Sequence, residues 1–168
     1  MPDMRDALGR VGLKAAGQPE RRGGGPPQGG RGDPARTENQ FPPEYPKYFD
    51  EGGHTRVDLI LREAQERAAC FQRDDLKRHQ LRAFYDHAKR QLQRLNYGVA
   101  FAEIHPEIAR LKVFAADRAG RSASRLPRSF KDFIDRNVDA VSDEKSFSKG
   151  FMPHFEAVVG YCAGIKDR

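Results

Sequence analysis

The 168-residue chain predicts an all-α fold, a compact bundle of about five helices preceded by a disordered arm rich in glycine, proline and arginine. Three observations predict it. From Tyr45 onward apolar residues recur at spacings of three and four, strand-like alternation is absent, and the first 44 residues offer almost nothing apolar to bury. With 38% hydrophobic residues, eleven Phe and no Trp, the core is small and the length suits one domain. The division is residues 1–44 as the arm and 45–168 as the helical bundle.

The arm contains "GQPERRGGGPPQGGRGDPARTENQFPP". Its RGG-like part suggests a flexible RNA-binding tail, but seven basic residues against six acidic ones favour a spacer. The RGD at 31–33 suggests adhesion only for an extracellular chain.

Each helix follows from its apolar stripe. The first uses Val57, Ile60, Leu61, Ala64, Ala68 and Phe71. The second, capped by Asp74 or Asp75, uses Leu81, Phe84, Ala88, Leu92 and Leu95, and "NYG" at 96–98 ends it. The third starts near Val99, is broken or kinked at Pro106, and continues through Ile108, Leu111, Ala115 and Ala119 to Gly120. The fourth opens at Pro127 and buries Phe130, Phe133, Ile134, Val138 and Val141. The fifth follows a Ser142 cap with Asp143 and Glu144 in its first turn, and stacks Phe147, Phe151, Phe155, Val158 and Cys162. Gly150 and Pro153 should bend or divide it.

A net charge of +6 and a pI near 9.5 favour an anionic partner. The surplus is local. Residues 73–94 carry seven basic residues against three acidic, and 105–131 carry seven against two, whereas 132–168 carry five against seven. One side or end of the bundle should therefore be basic. On a helical wheel Arg78, Arg82 and Lys89 fall within about 40° of one another, with Tyr85 between them and the core. Arg110 and Arg121 align on the third helix, and Arg118 borders its apolar face. Arg125 follows in the same basic stretch. A solvated face with i,i+4 ion pairs such as Asp117 to Arg121 explains such a pattern in many helical proteins. Clustering in two adjacent segments points instead to a track for a phosphate backbone.

The sequence carries no motif that requires an enzyme. His54, His79, His87, His105 and His154 form no metal-ligand spacing, and there is no phosphate-cradling GxxxxGK[ST] and no GxSxG elbow. No cofactor or metal is expected. Cys70 and Cys162 lack CxxC spacing and read as apolar filler in a reducing compartment. The N-terminus has no apolar block of signal-peptide length and no run reaches the ~18 apolar residues of a membrane span, so a cytoplasmic protein without membrane contact is expected.

Three stretches carry a family likeness. "LKRHQLRAFYDHAKR" (76–90) resembles a Leu-x-x-x-Gln-Leu-Arg-x-Phe-Tyr pattern followed by a basic turn; "LKVFAADRAGR" (111–121) is similar to a helix opened by Leu-Lys and closed by Ala-(Ala/Gly)-Arg; "FEAVVGYC" (155–162) resembles a Phe-x-Glu-Ala helix ending in Tyr. All three belong to the small all-helical subunit of type III-A CRISPR effector complexes, the Csm complexes. The resemblance runs from about 73 to 165 in order. It departs from the pattern at Val113-Phe114 (usually Pro-Lys), at Asp117 (usually Tyr) and at Arg78-His79 (a polar Thr or Ser before Gln-Leu-Arg), and the glycine-rich arm lies outside it. It implies a non-catalytic subunit for antiviral defence, present in more than one copy, that stacks along guide RNA paired with target RNA. Its other partners would be the backbone subunit and the large nuclease and cyclase subunit. By position Arg82, Lys112 and Arg121 carry over as RNA contacts; the charge reading adds Arg78, Lys89, Arg110, Arg118 and Arg125. Leu81, Phe84, Leu111 and Phe155 read as core.

Two other classes compete with this one. A stand-alone helical nucleic-acid-binding protein would prefer duplex DNA, although the cations are spread along a long helix and not gathered on a short recognition helix. A protein-interaction adaptor would keep its partners after all nucleic acid is removed.

Overall fold

The computed structural model describes residues 46–123 and 125–164, so the disordered arm expected at 1–44 lies outside the described residues. The element order is a π-helical turn at Leu59–Glu63 continuous with α1 (Ala64–Arg73), then α2 (Arg78–Asn96), α3 (Phe101–Gly120) and α4 (Arg128–Ala140). A second π-helical turn, Ser146–Phe151, runs into α5 (Met152–Tyr161), and a 3₁₀ turn closes it at Cys162–Gly164. The fold among the described residues is all-α, as the periodicity predicts. Its one β-type feature is an isolated bridge between Phe49 and Thr55.

Phenylalanines hold the bundle together. Phe130 of α4 meets Phe71 of α1 and Phe84 of α2 edge to face, each at 5.2 Å, and Phe133 meets Phe71 and Phe155 at 5.4 and 5.5 Å. Four helices thus meet around one aromatic cluster without Trp. α1 packs chiefly on α5, while α3 packs on α4 and α2.

The sequence reading misplaces the stripe of the first helix. Leu59 is fully buried and Ile60 half-buried, whereas Val57 and Leu61 are exposed. The π turn is the physical reason. A π turn closes its hydrogen bonds over five residues, so the buried positions step from Leu59 to Ala64 before the normal spacing to Ala68 and Phe71 resumes.

The caps differ from expectation too. Asp74 and Asp75 end α1 and do not start α2. The amide of Leu76 donates to the carbonyl of Phe71 and that of Asp75 to Gln72, with Asp75 at a φ of 59°. This is a Schellman closure in which Asp takes the left-handed position, and Leu76 is buried just beyond it. α2 begins after Lys77, whose amide donates to the Gln80 side chain at 3.1 Å. Its other end repeats the closure with Gly98 at a φ of 88°, the amide of Val99 reaching Arg94 and that of Gly98 reaching Leu95. The fifth helical run is capped by Asp143 in place of Ser142. Asp143 Oδ1 accepts from the Ser146 amide at 2.7 Å, and Ser146 Oγ accepts in return from the Asp143 amide at 3.0 Å. Those bonds hold the Asp143 carboxyl below its usual range.

The two prolines inside helices behave differently. Pro106 does not break α3, which runs Phe101–Gly120 without interruption. Pro153 follows the second π turn, and the carbonyl four residues back, that of Lys149, is met by Thr55 Oγ1 at 2.7 Å. The stretch 46–56 therefore serves the bundle although it is not helical. Tyr48, also from this stretch, lies against Gly150 and donates from its hydroxyl to Asn137 Oδ1 at 2.9 Å.

Candidate nucleic-acid interface

α2 is long, and its buried face (Leu81, Phe84, Ala88, Leu95) leaves the flanks to polar residues. One flank turns to α5. There Tyr85 packs edge to face on Phe155 at 5.5 Å and its hydroxyl meets Glu156 at 3.2 Å; burial and that carboxylate push the phenol up to about 12. Lys89 Nζ lies 5.5 Å from the Tyr85 ring. Arg78 is half-buried and Arg82 exposed, and among the described residues neither has an ion-pair partner.

The other flank turns to α3 and opens a groove of about 710 Å³. Arg90 of α2 and Arg118 of α3 are its cations, joined at the rim by Lys89, which stands on the solvent side of α2 between the two flanks, and Asp86 is its acid. Arg118 rests its guanidinium 5.3 Å from the Phe84 ring, which fixes it at the edge of the core. His87 and Phe114 also line the groove, edge to face at 5.5 Å. His87 Nε2 donates to the Glu107 carbonyl at 2.8 Å, so the two helices are pinned beside it.

The remaining sequence-predicted residues separate. Arg110 pairs with Glu107 at 2.9 Å inside α3, and Arg121, the residue just past its end, pairs with Asp117 at 2.5 Å; both arginines are exposed. On the α3 wheel these two sit on the outer shoulder of the groove, about 20–40° beyond Phe114 and about 60–80° beyond Arg118. Lys112 lies on the opposite flank and bridges to Asp139 of α4 at 2.5 Å. Arg125 donates from Nε to the Ala119 carbonyl at 2.9 Å, and the Leu126 amide reaches the Arg118 carbonyl at 3.1 Å. Together they satisfy two of the open carbonyls at the C-terminus of α3, with the cation at the favourable end of its dipole. Arg125 also borders a second hollow of about 490 Å³ with Arg128, Lys131 and Asp132.

Sequence reasoning counted Arg90 only as charge, placed His87 on the basic helix at a surface or RNA-edge position, and met Phe114 only as a departure from the family pattern, so none of the three entered the site. Arg90 was visible in the charge count. The signal for Phe114 was its position about 90° from the α3 core stripe, where an aromatic ring stays exposed.

The chain matches the Csm2 type III-A family over residues 54–166, two thirds of its length. It belongs to the Csm2 family. That makes it a small, structural subunit of a type III-A Csm effector complex and bears out the likeness read from 76–90, 111–121 and 155–162. No curated protein and no solved structure matches the chain. The family match spans all five α-helices of the Csm2-family chain, and so includes both hollows. Among the described residues no helix is long and apolar enough to cross a membrane, and no group of three or more His, Cys, Asp or Glu is placed to hold a metal ion. Cys70 and Cys162 are buried free thiols, pushed up chiefly by burial.

Proposed function

We propose that this Csm2-family subunit is a non-catalytic, cytoplasmic scaffold that lies along the guide RNA and its target RNA and holds their phosphates with the basic side of α2 and α3. The backbone subunit, the large nuclease and cyclase subunit and further copies of the chain are its neighbours in the complex. Residues 1–44 act as a spacer appended to the bundle of 45–168. The observation that carries the reading is the convergence of Lys89, Arg90 and Arg118 on one groove that contains a single acid, Asp86. Arg78 and Arg82 extend the track along α2, and Arg110 and Arg121 extend it along the shoulder of α3. Those two exchange an intrahelical carboxylate for a phosphate at small cost, since exposed pairs of this kind are worth only about 0.3–0.5 kcal/mol. Lys112 and Arg125, which hold α4 and the end of α3, reach RNA from the flanks.

The test is a charge-reversed variant, Arg82→Glu with Lys89→Glu and Arg118→Glu. Helical content by circular dichroism should stay at the wild-type level. RNA affinity should fall, and the slope of log K against log[salt] should become shallower by roughly two to three, about 0.7–0.9 for each phosphate the variant no longer neutralises. Wild-type affinity and slope in the folded variant would refute the assignment.

A further inference from the structure

Resting on that reading, we propose that the groove between α2 and α3 takes one unpaired nucleotide of single-stranded RNA, its base stacked on Phe114 and its phosphates held by Lys89, Arg90 and Arg118. Four observations converge on this occupant. The groove's volume, about 710 Å³, falls within the roughly 300–1,000 Å³ of small-ligand sites. Its charge is three cations against one carboxylate, complementary to a phosphodiester. Phe114 is 41% exposed beside those cations. The ring is also set in place, because His87 packs against it edge to face at 5.5 Å and is itself tied to the Glu107 carbonyl at 2.8 Å.

An aromatic face next to guanidinium and ammonium groups is the combination that single strands use and duplexes cannot. In a helix each base face is covered by its neighbours, whereas an unpaired base offers its face to a ring. Asp86 and Gln93 stand on the α2 wall of the same groove. The carboxylate repels a phosphate, so it directs the base inward and the backbone toward Arg90 and Arg118, and it accepts from an exocyclic amino group. A protein partner with an acidic surface would use the cations but would gain little from an isolated ring.

The experiment uses the full chain and three probes: a twelve-nucleotide single-stranded RNA carrying 2-aminopurine, a blunt RNA duplex of the same sequence, and a poly-glutamate peptide. Wild type should change the 2-aminopurine fluorescence on binding. Phe114→Ala should lose roughly fivefold to a hundredfold in single-strand affinity together with that fluorescence change. It should bind the duplex within about twofold of wild type, while Phe114→Tyr keeps single-strand binding. Single-strand affinity and fluorescence unchanged in Phe114→Ala, with RNA still bound, would overturn the groove assignment and leave the phosphate track standing. An equal loss on the duplex, or tighter binding of the peptide than of either RNA, would also overturn it. A wild-type chain that binds neither RNA would remove the proposed function together with this site.

Discussion

His154 is 2% exposed, and its Nδ1 stands 2.9 Å from the Leu59 carbonyl, which can only accept, so Nδ1 carries the proton of a neutral ring. Burial is the main reason its pKa falls to about 4; the Leu59 bond and Glu63 pull upward, and Arg67 adds a further push down. Because the folded value lies below the ordinary 6.5, the unfolded chain binds the proton first on acidification. The stabilisation is therefore complete above about pH 6.5 and is lost progressively as pH falls toward 4. The shift corresponds to about 3 kcal/mol. Urea unfolding at pH 7 and pH 4.5 should show this loss in wild type, and His154→Gln should show a markedly flatter dependence. An equal slope in the two proteins would assign the pH effect to other groups. The sequence contained His154 but no sign of its burial, since only the packing of α5 against the first π turn encloses it. The same limit applies at Arg125: charge is legible in a sequence, but not that a guanidinium closes the end of a neighbouring helix.

Among the elements, the two π turns mark where periodic reading fails. The stripes of α2 and α4 obey the ordinary 3.6-residue repeat, and Leu81, Phe84, Ala88, Phe130, Phe133, Ile134 and Val138 are buried as predicted. The first helical run does not obey it, because one extra residue in a turn rotates everything before Ala64. The second π turn carries Gly150 against the non-helical segment 46–56. A Cβ at Gly150 would come within 2.5 Å of the Tyr48 ring, whose hydroxyl is committed to Asn137. Gly150→Ala should thus cost about 1–3 kcal/mol, measured by chemical denaturation, because neither the buried ring nor the helix can withdraw. A change below a few tenths of a kcal/mol would mean that the segment shifts freely. Helix ends were the other weak point. Asp74, Asp75 and Ser142 are cap-forming residue types, but which residue caps is decided by the direction in which the chain leaves the helix.

For the whole molecule, one aromatic cluster joins helices that are far apart in the chain. Phe130 touches Phe71, Phe84 and Phe155, and so ties α4 to α1, α2 and α5. Phe130→Ala should destabilise the bundle by roughly 3–5 kcal/mol, with far-ultraviolet circular dichroism and a near-ultraviolet aromatic signal falling in one coincident transition. Separate transitions for the two signals would show that the helices are not one cooperative unit. The all-α class, the helix count and the phenylalanine core were determined by the sequence alone, because periodicity and hydrophobicity act over short stretches of chain. The likeness of three motifs was equally local, and it led to the Csm2 family. The basic site was only half legible. A wheel places Lys89 and Arg118 each on its own helix, but their convergence with Arg90 and Phe114 on one groove, the diversion of Lys112 to Asp139 and the pinning of His87 to Glu107 depend on how α2, α3 and α4 pack. Tertiary structure decided those, for a physical reason: contacts between residues distant in the chain are set by the fit of whole helix faces, which no single stretch of sequence contains.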